Sequence, residues 1–173
     1  VIDWLKNLRD PKKPFFLYLS HKAVHSDAVP APRHRGQYRD TQFELPETVV
    51  VTDDYIEGKP MWVKNQRNSW HGIDFFYASD RKMTDYLRDY YGALSSVDDS
   101  MGRLRAVLEA LDLTDDTVIV FYSDNGFLTG DHGLIDKRNA YEASVKVPMI
   151  VYAPKDAKGC LLYTSDAADE TVR

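Results

Sequence analysis

The chain has 173 residues, 43% of them hydrophobic and 28% charged, which is enough for one domain with a sizeable core. Acidic side chains number 27 against 22 basic, leaving a formal net charge of −5, so no nucleic-acid footprint is indicated. A single cysteine, Cys160, excludes an internal disulfide framework and a Cys-rich zinc site, and no apolar stretch reaches membrane-spanning length.

The sequence opens Val1-Ile2-Asp3 without a Met and reads as an excerpt, so the lack of a signal peptide says nothing about compartment. Val1 to Arg9 reads as the end of a helix, with Ile2, Leu5 and Leu8 on one side, and Pro11 and Pro14 stop it. Phe15-Phe16-Leu17-Tyr18-Leu19 is a continuous apolar run, as expected for a strand buried on both faces. Ser20-His21-Lys22-Ala23-Val24-His25 comes directly after it. His21 and His25 stand four apart, a ligand spacing on a helix. They follow a strand and precede prolines, however, which favours a structural hydrogen-bonding role for His21. From Ser26 to about Ser79 the chain is rich in Pro, Gly, Arg and aromatics and has no sustained period. Irregular stretches that long are functional or disordered. Phe43, Tyr55, Trp62, Trp70, Phe75, Phe76 and Tyr77 argue against disorder.

Ser79 or Asp80 can cap a long helix. Met83, Leu87, Tyr90, Leu94, Val97, Met101, Leu104, Leu108 and Leu111 step by four and three, a single apolar stripe. Tyr86, Tyr91, Ala93 and Val107 widen it beyond a coiled-coil seam, so the pattern predicts a helix lying on a sheet. Asp98 and Asp99 on that helix read as caps or as partners for loop backbone. After a turn at Asp112–Asp116 comes Val118-Ile119-Val120-Phe121-Tyr122, β-branched and aromatic, which reads as a buried strand. Strand, helix and strand together predict an α/β crossover and a largely parallel sheet. The carboxyl ends of 15–19 and 118–122 would then share one edge, bringing His21 and His25 near the carboxyl end of the second strand.

At that end stands Ser123-Asp124-Asn125-Gly126. Ligands of open α/β sheets sit at the carboxyl ends of strands, and Asp124 and Asn125 offer hard oxygens suited to Ca²⁺ or Mg²⁺. Asn-Gly is equally a strong turn dipeptide, and by itself the stretch reads as a turn. Eleven residues after Gly126 comes Lys137, ahead of a second apolar run, Val147 to Tyr152. A metal-type pair and a later cation suit an anionic substrate. No internal repeat is present.

Three blocks in this order resemble the sulfatase family of the alkaline-phosphatase-like superfamily. They are Phe15 to His25; Tyr91 to Gly102 with Val97-Asp98-Asp99-Ser100-Met101-Gly102; and Tyr122 to Arg138, containing Gly130-Asp131-His132-Gly133 and Asp136-Lys137-Arg138. Tyr141-Glu142 and Val147-Pro148 complete the match, and the third block is the specific one. The style is closest to bacterial arylsulfatase-like and N-acetylglucosamine-6-sulfatase-like enzymes. The resemblance implies an α/β fragment of an alkaline-phosphatase-like sheet, with a long helix packed on it and a long irregular loop. It also implies a calcium-dependent hydrolase of sulfated sugars or aryl sulfates whose nucleophile is a formylglycine made from a Cys/Ser-x-Pro-x-Arg motif. These 173 residues contain no such motif and no nucleophile, so residues 1–158 are expected to be an internal part of a larger catalytic domain.

Carried over residue by residue, the resemblance assigns Asp124 and Asn125 to calcium, Lys137 to the sulfate, and His25 to sulfate contact and protonation of the leaving oxygen. Where the family often has Ala-Pro after that histidine, this chain has Ser26-Asp27. His132 either lines the substrate pocket or orients its own loop. Trp70 and His71 form either a lip for a sugar or aryl group or part of the loop's own core. Arg33, His34 and Arg35 suit a polyanionic glycan, although solvated surface is the better default. Residues 159–173 resemble translated adapter text or a frayed natural terminus and are set aside as a tail. The family implies a periplasmic or extracellular setting, and the net charge indicates no nucleic-acid partner. Two alternatives stand beside this reading: a phosphoester or phosphonate hydrolase of the same superfamily, and a non-catalytic binder of sulfated glycans. The upstream sequence separates them.

Overall fold

The computed structural model describes residues 1–49, 57–66, 81–154 and, as backbone, 161–164. The chain divides into two compact units. The first gathers Val1–Thr41, Arg88–Val118 and Ala153–Lys158, and the second gathers Gln42–Leu87, Ile119–Tyr152 and Gly159–Arg173. Trp70 and His71, and the proposed caps Ser79 and Asp80, lie outside the described residues.

In the first unit the amino-terminal helical segment is a π-helical turn, Trp4–Leu8, ending at an extended Arg9. Of its predicted apolar side only Leu5 is buried; Ile2 and Leu8 are exposed. The Arg9 guanidinium closes the turn by donating to the Leu5 carbonyl at 3.2 Å and lies 5.6 Å from the centroid of the Phe15 ring.

Residues 15–19 depart from expectation. They form no strand, and burial alternates, with Phe15 and Leu17 half-buried while Phe16 and Tyr18 are 88% and 71% exposed. A continuous apolar run forms a strand buried on both faces only where neighbours cover both faces and complete its ladder. Among the described residues none pairs with it.

The long helix is present as predicted, here α2 (Met83–Ala110), after a short α1 (Met61–Gln66). No helix among the described residues is long and apolar enough to cross a membrane. Met83, Tyr86, Leu87, Ala93, Val97, Val107 and Leu108 are buried along α2, whereas Tyr91 and Leu94 are 39% exposed. The helix ends in a Schellman motif. Leu113 N–H donates to the Leu108 carbonyl at 2.8 Å and Asp112 N–H to that of Glu109 at 3.0 Å, with Asp112 left-handed at φ 55°.

A second face of α2 is polar. Ser96 Oγ accepts the Ala31 N–H at 3.0 Å, Ser95 Oγ bonds the Tyr38 hydroxyl at 3.0 Å, and Ser100 Oγ bonds His21 Nε2 at 2.9 Å. At Gly92 a Cβ would stand 3.0 Å from a Pro30 ring carbon and 3.1 Å from the His34 carbonyl. Residues 21–38 are thus docked on the helix by hydrogen bonds and a close approach, with Ala28 and Pro30 buried. That docking holds the irregular stretch carrying His25.

In the second unit, β1 (Ile119–Phe121) pairs with β4 (Pro148–Tyr152), and β5 (Leu161–Thr164) pairs with the other edge of β4, giving the order β1-β4-β5. A two-stranded ribbon joins β2 (Leu128–Thr129) to β3 (Ile135–Asp136). Every one of these pairings is antiparallel, in contrast to the parallel sheet expected from sequence. The expected parallel partner of β1, residues 15–19, forms no strand here, while the antiparallel β1–β4 pairing follows from the path between those two strands. A tight ribbon and the short α3 (Glu142–Val145) intervene, and the chain returns reversed instead of through a helical crossover. Val63, Leu128 and Leu134 form the core beneath the ribbon, with Tyr141 and Ala143 packed against them.

Candidate functional site

The second unit assembles most of the candidate side chains. Past β1 the chain leaves the sheet through a side-chain-supported turn. The Asn125 N–H donates to Asp124 Oδ1 at 3.0 Å, Ser123 Oγ donates to the Asn125 carbonyl at 2.9 Å, and Asn125 Nδ2 donates to the Gly126 carbonyl at 2.7 Å. The stretch is a turn, and its local hydrogen bonds use Asp124 Oδ1 and Asn125 Nδ2. Asp124 Oδ2 and Asn125 Oδ1 carry no hydrogen bond among the described residues, and the Asp124 carboxylate is exposed.

Gly126 is fixed by packing. Its N–H donates to the Ser144 carbonyl at 2.8 Å. A Cβ there would lie 2.1 Å from the Ala143 carbonyl oxygen, inside any possible contact distance.

The ribbon carries the cation. Leu128 pairs with Asp136, so one further step of that register sets Lys137 opposite Phe127, two residues beyond Asn125. Asp136 is buried, with its side chain 7% exposed, and takes a left-handed φ of 85°. Its Oδ2 accepts from Arg138 Nε at 2.8 Å, and its Oδ1 lies 3.8 Å from Lys137 Nζ. The sequence alone does not single out Asp136; its one signal there is a lone acid directly before two bases.

His132 occupies the turn between β2 and β3 with φ 57°. Its ring stacks on Tyr141 at 4.1 Å between centroids and 25° between planes, and its N–H donates to Thr48 Oγ1 at 3.0 Å. Asp131 secures the same turn by accepting the Thr129 N–H at 3.0 Å. Residues 141–146 therefore bridge the two halves of the site, stacking on His132 at one end and bonding Gly126 at the other. Asn139 is 4% exposed, and neither of its amide atoms has a partner among the described residues.

His25 belongs to the first unit. It is exposed, and its Nδ1 lies 3.3 Å from the Ser26 carbonyl. A carbonyl only accepts, so this contact puts a proton on Nδ1. His21 is occupied by Ser100, the structural role the sequence favoured. No group of three His, Cys, Asp or Glu converges as a metal site among the described residues.

Arg33 and His34 are neither bare surface nor free. Both bond Asp99 of α2, His34 Nε2 at 2.8 Å and Arg33 through Nε. The hydrogen bond from His34 first, and that from Arg33 second, hold the Asp99 carboxyl below its ordinary value. Asp99 thus partners side chains of the docked segment, not the loop backbone expected from sequence.

The Sulfatase family model matches residues 1–171 of the chain. The N-acetylglucosamine-6-O-sulfatase of Bacteroides thetaiotaomicron is 31% identical over 212 residues, covering 91% of this chain and 37% of that protein. An arylsulfatase of Clostridium perfringens is 31% identical over 158 residues, covering 88% and 30%. Among solved structures, one determined in complex with its substrate, D-glucosamine-2-N,6-O-disulfate, matches with a TM-score of 0.67 at 27% identity, covering 89% of this chain and 41% of that one. The chain therefore spans 37% and 30% of the length of these two curated relatives.

Proposed function

The chain belongs to the sulfatase family, and on that premise we propose that it is part of an enzyme that hydrolyses sulfate esters of a sugar or an aryl alcohol. The observation that carries this reading is the grouping of the Asp124-Asn125 turn, Lys137 and His132 around one ribbon and its neighbouring 141–146 segment. The relatives named above supply the substrate class: a 6-O-sulfated amino sugar in one, aryl sulfates in the other.

Calcium fits the residues present. Ca²⁺ takes six to eight oxygens, and Asp124 and Asn125 would contribute one oxygen each, Asp124 Oδ2 and Asn125 Oδ1. The remaining ligands and the formylglycine would come from other parts of the complete enzyme. When bound, that pair of groups would supply a nucleophile and neutralise sulfate oxygens. Lys137 would donate to a sulfate oxygen, a charge-assisted contact that strengthens as negative charge builds toward the leaving oxygen. His25, as an imidazolium protonated at both ring nitrogens, would deliver the Nε2 proton to that oxygen as it leaves as the alcohol and keep its Nδ1 proton, a task suited to an imidazole near neutral pH. His132, backed by Tyr141, would line the pocket.

For the complete enzyme we propose a largely parallel sheet, with residues 1–158 as part of the catalytic domain, 159–173 as a tail, and a periplasmic or extracellular setting.

The test is to express the complete reading frame that contains this chain and measure release of sulfate from 4-nitrophenyl sulfate and from 6-O-sulfated glucosamine, with and without a calcium chelator. Chelator-sensitive sulfate release is expected. Turnover confined to phosphate or phosphonate esters would move the protein to another branch of the superfamily, and binding of the sulfated sugar without turnover would make it a lectin-like relative.

A further inference from the structure

Building on the reading of Lys137 as the cation that meets the anion, we propose that Asp136 is a positioning residue that aims Lys137, with Arg138 absorbing the carboxylate's charge. Asp136 is one acid set against two bases, so the trio retains one net positive charge. The two cations are not held alike. Arg138 Nε bonds Oδ2 at 2.8 Å, a true hydrogen bond, whereas Lys137 Nζ stands 3.8 Å from Oδ1, within ion-pair range but beyond hydrogen-bond distance.

The carboxylate's compensation therefore falls mainly on Arg138, with Lys137 in the looser ion pair. The mount is rigid: the Asp136 side chain is 7% exposed and its backbone is locked into the ribbon opposite Leu128. Lys137 is held against it with its side chain 25% exposed, and Arg138 lies further out at 49%. A flexible four-carbon stem is thus restrained without having its charge consumed by this carboxylate.

The test uses Asp136→Asn in the complete protein. Asparagine keeps the shape, tolerates a left-handed φ and still accepts from Arg138. Two readouts apply. First, reductive methylation and mass spectrometry should show Lys137 labelled several-fold faster in the variant, with the other lysines unchanged. Second, kcat for 4-nitrophenyl sulfate should fall roughly 10-fold while KM stays within about twofold, since small misplacement of a positioned group costs turnover before binding. That fall should vanish when the substitution is made in a Lys137→Ala background.

Unchanged labelling of Lys137, or losses that simply multiply in the double variant, would overturn the proposal. If wild type hydrolyses no sulfate ester yet the labelling of Lys137 responds, the functional reading fails and the positioning role stands. Should Asp136→Asn not fold, Arg138→Gln gives the converse readout. Asp136 then turns to Lys137 alone and its labelling slows; an unchanged rate rejects the assignment.

Discussion

Lys137 and Arg138 are adjacent cations held differently by Asp136, and kinetics on single variants in the complete enzyme test whether their duties differ. Lys137→Ala should lower turnover of an aryl sulfate by roughly 10²–10³, the usual cost of losing one preorganised donor. Arg138→Ala should cost less, because Arg138 is spent on Asp136. If Arg138→Ala is the more damaging change, the motif register is off by one. Gly126 carries a structural demand of a different kind. With the Ala143 carbonyl oxygen 2.1 Å from where a Cβ would sit, Gly126→Ala must push two backbone segments apart. Overpacking of this sort costs about 1–3 kcal/mol or more, to be read as a lowered denaturation midpoint. The sequence singled out Asp124, Asn125 and Lys137 as candidates because residue type and spacing carry that much information. It did not reveal why Gly126 is a glycine, since the obstructing carbonyl comes from seventeen positions downstream and is brought there only by folding.

At the scale of elements, α2 shows what periodicity can and cannot convey. Its apolar stripe was legible because burial of Met83, Leu87, Val97 and Leu108 follows the 3.6-residue repeat. The polar face of Gly92, Ser95, Ser96, Asp99 and Ser100 was not, because small and hydroxyl residues on a helix look like surface until the segment they hold is known. Asp99 makes this face sensitive to acid. Its folded-state value is lowered, chiefly by His34 and then by Arg33, so below the ordinary value the unfolded chain binds the proton more readily than the folded one. The contribution is present above 3.8 and is lost as pH falls through the lower folded value. The difference in Tm between wild type and Asp99→Asn should therefore be steady near neutrality and shrink on acidification below about pH 4. A gap that widens toward acid would contradict the assigned partners. The strands tell the opposite story. β1 and β4 were recognisable as apolar runs, but their direction depends on the ribbon and α3 between them, whose two-residue strands are too short to leave a period.

For the whole molecule, the 173 residues contain a candidate cation, proton donor and metal-type pair but no Cys/Ser-x-Pro-x-Arg sequence. The purified chain should hydrolyse no aryl sulfate above a heat-treated control, and any such turnover would show that the nucleophile had been misidentified. The docking of residues 21–38 on α2 has a further consequence, in the time domain. Ala31 lies in irregular chain, where a backbone amide would ordinarily exchange its proton with water rapidly. Its N–H is instead held by Ser96 Oγ, so it can exchange only when that segment lifts from the helix. Ala31 is thus a built-in clock for the stretch that carries His25. Hydrogen–deuterium exchange at this one amide should be slow in the native chain and fast in Ser96→Ala, and equal rates in the two would mean that the segment is held by something other than this bond.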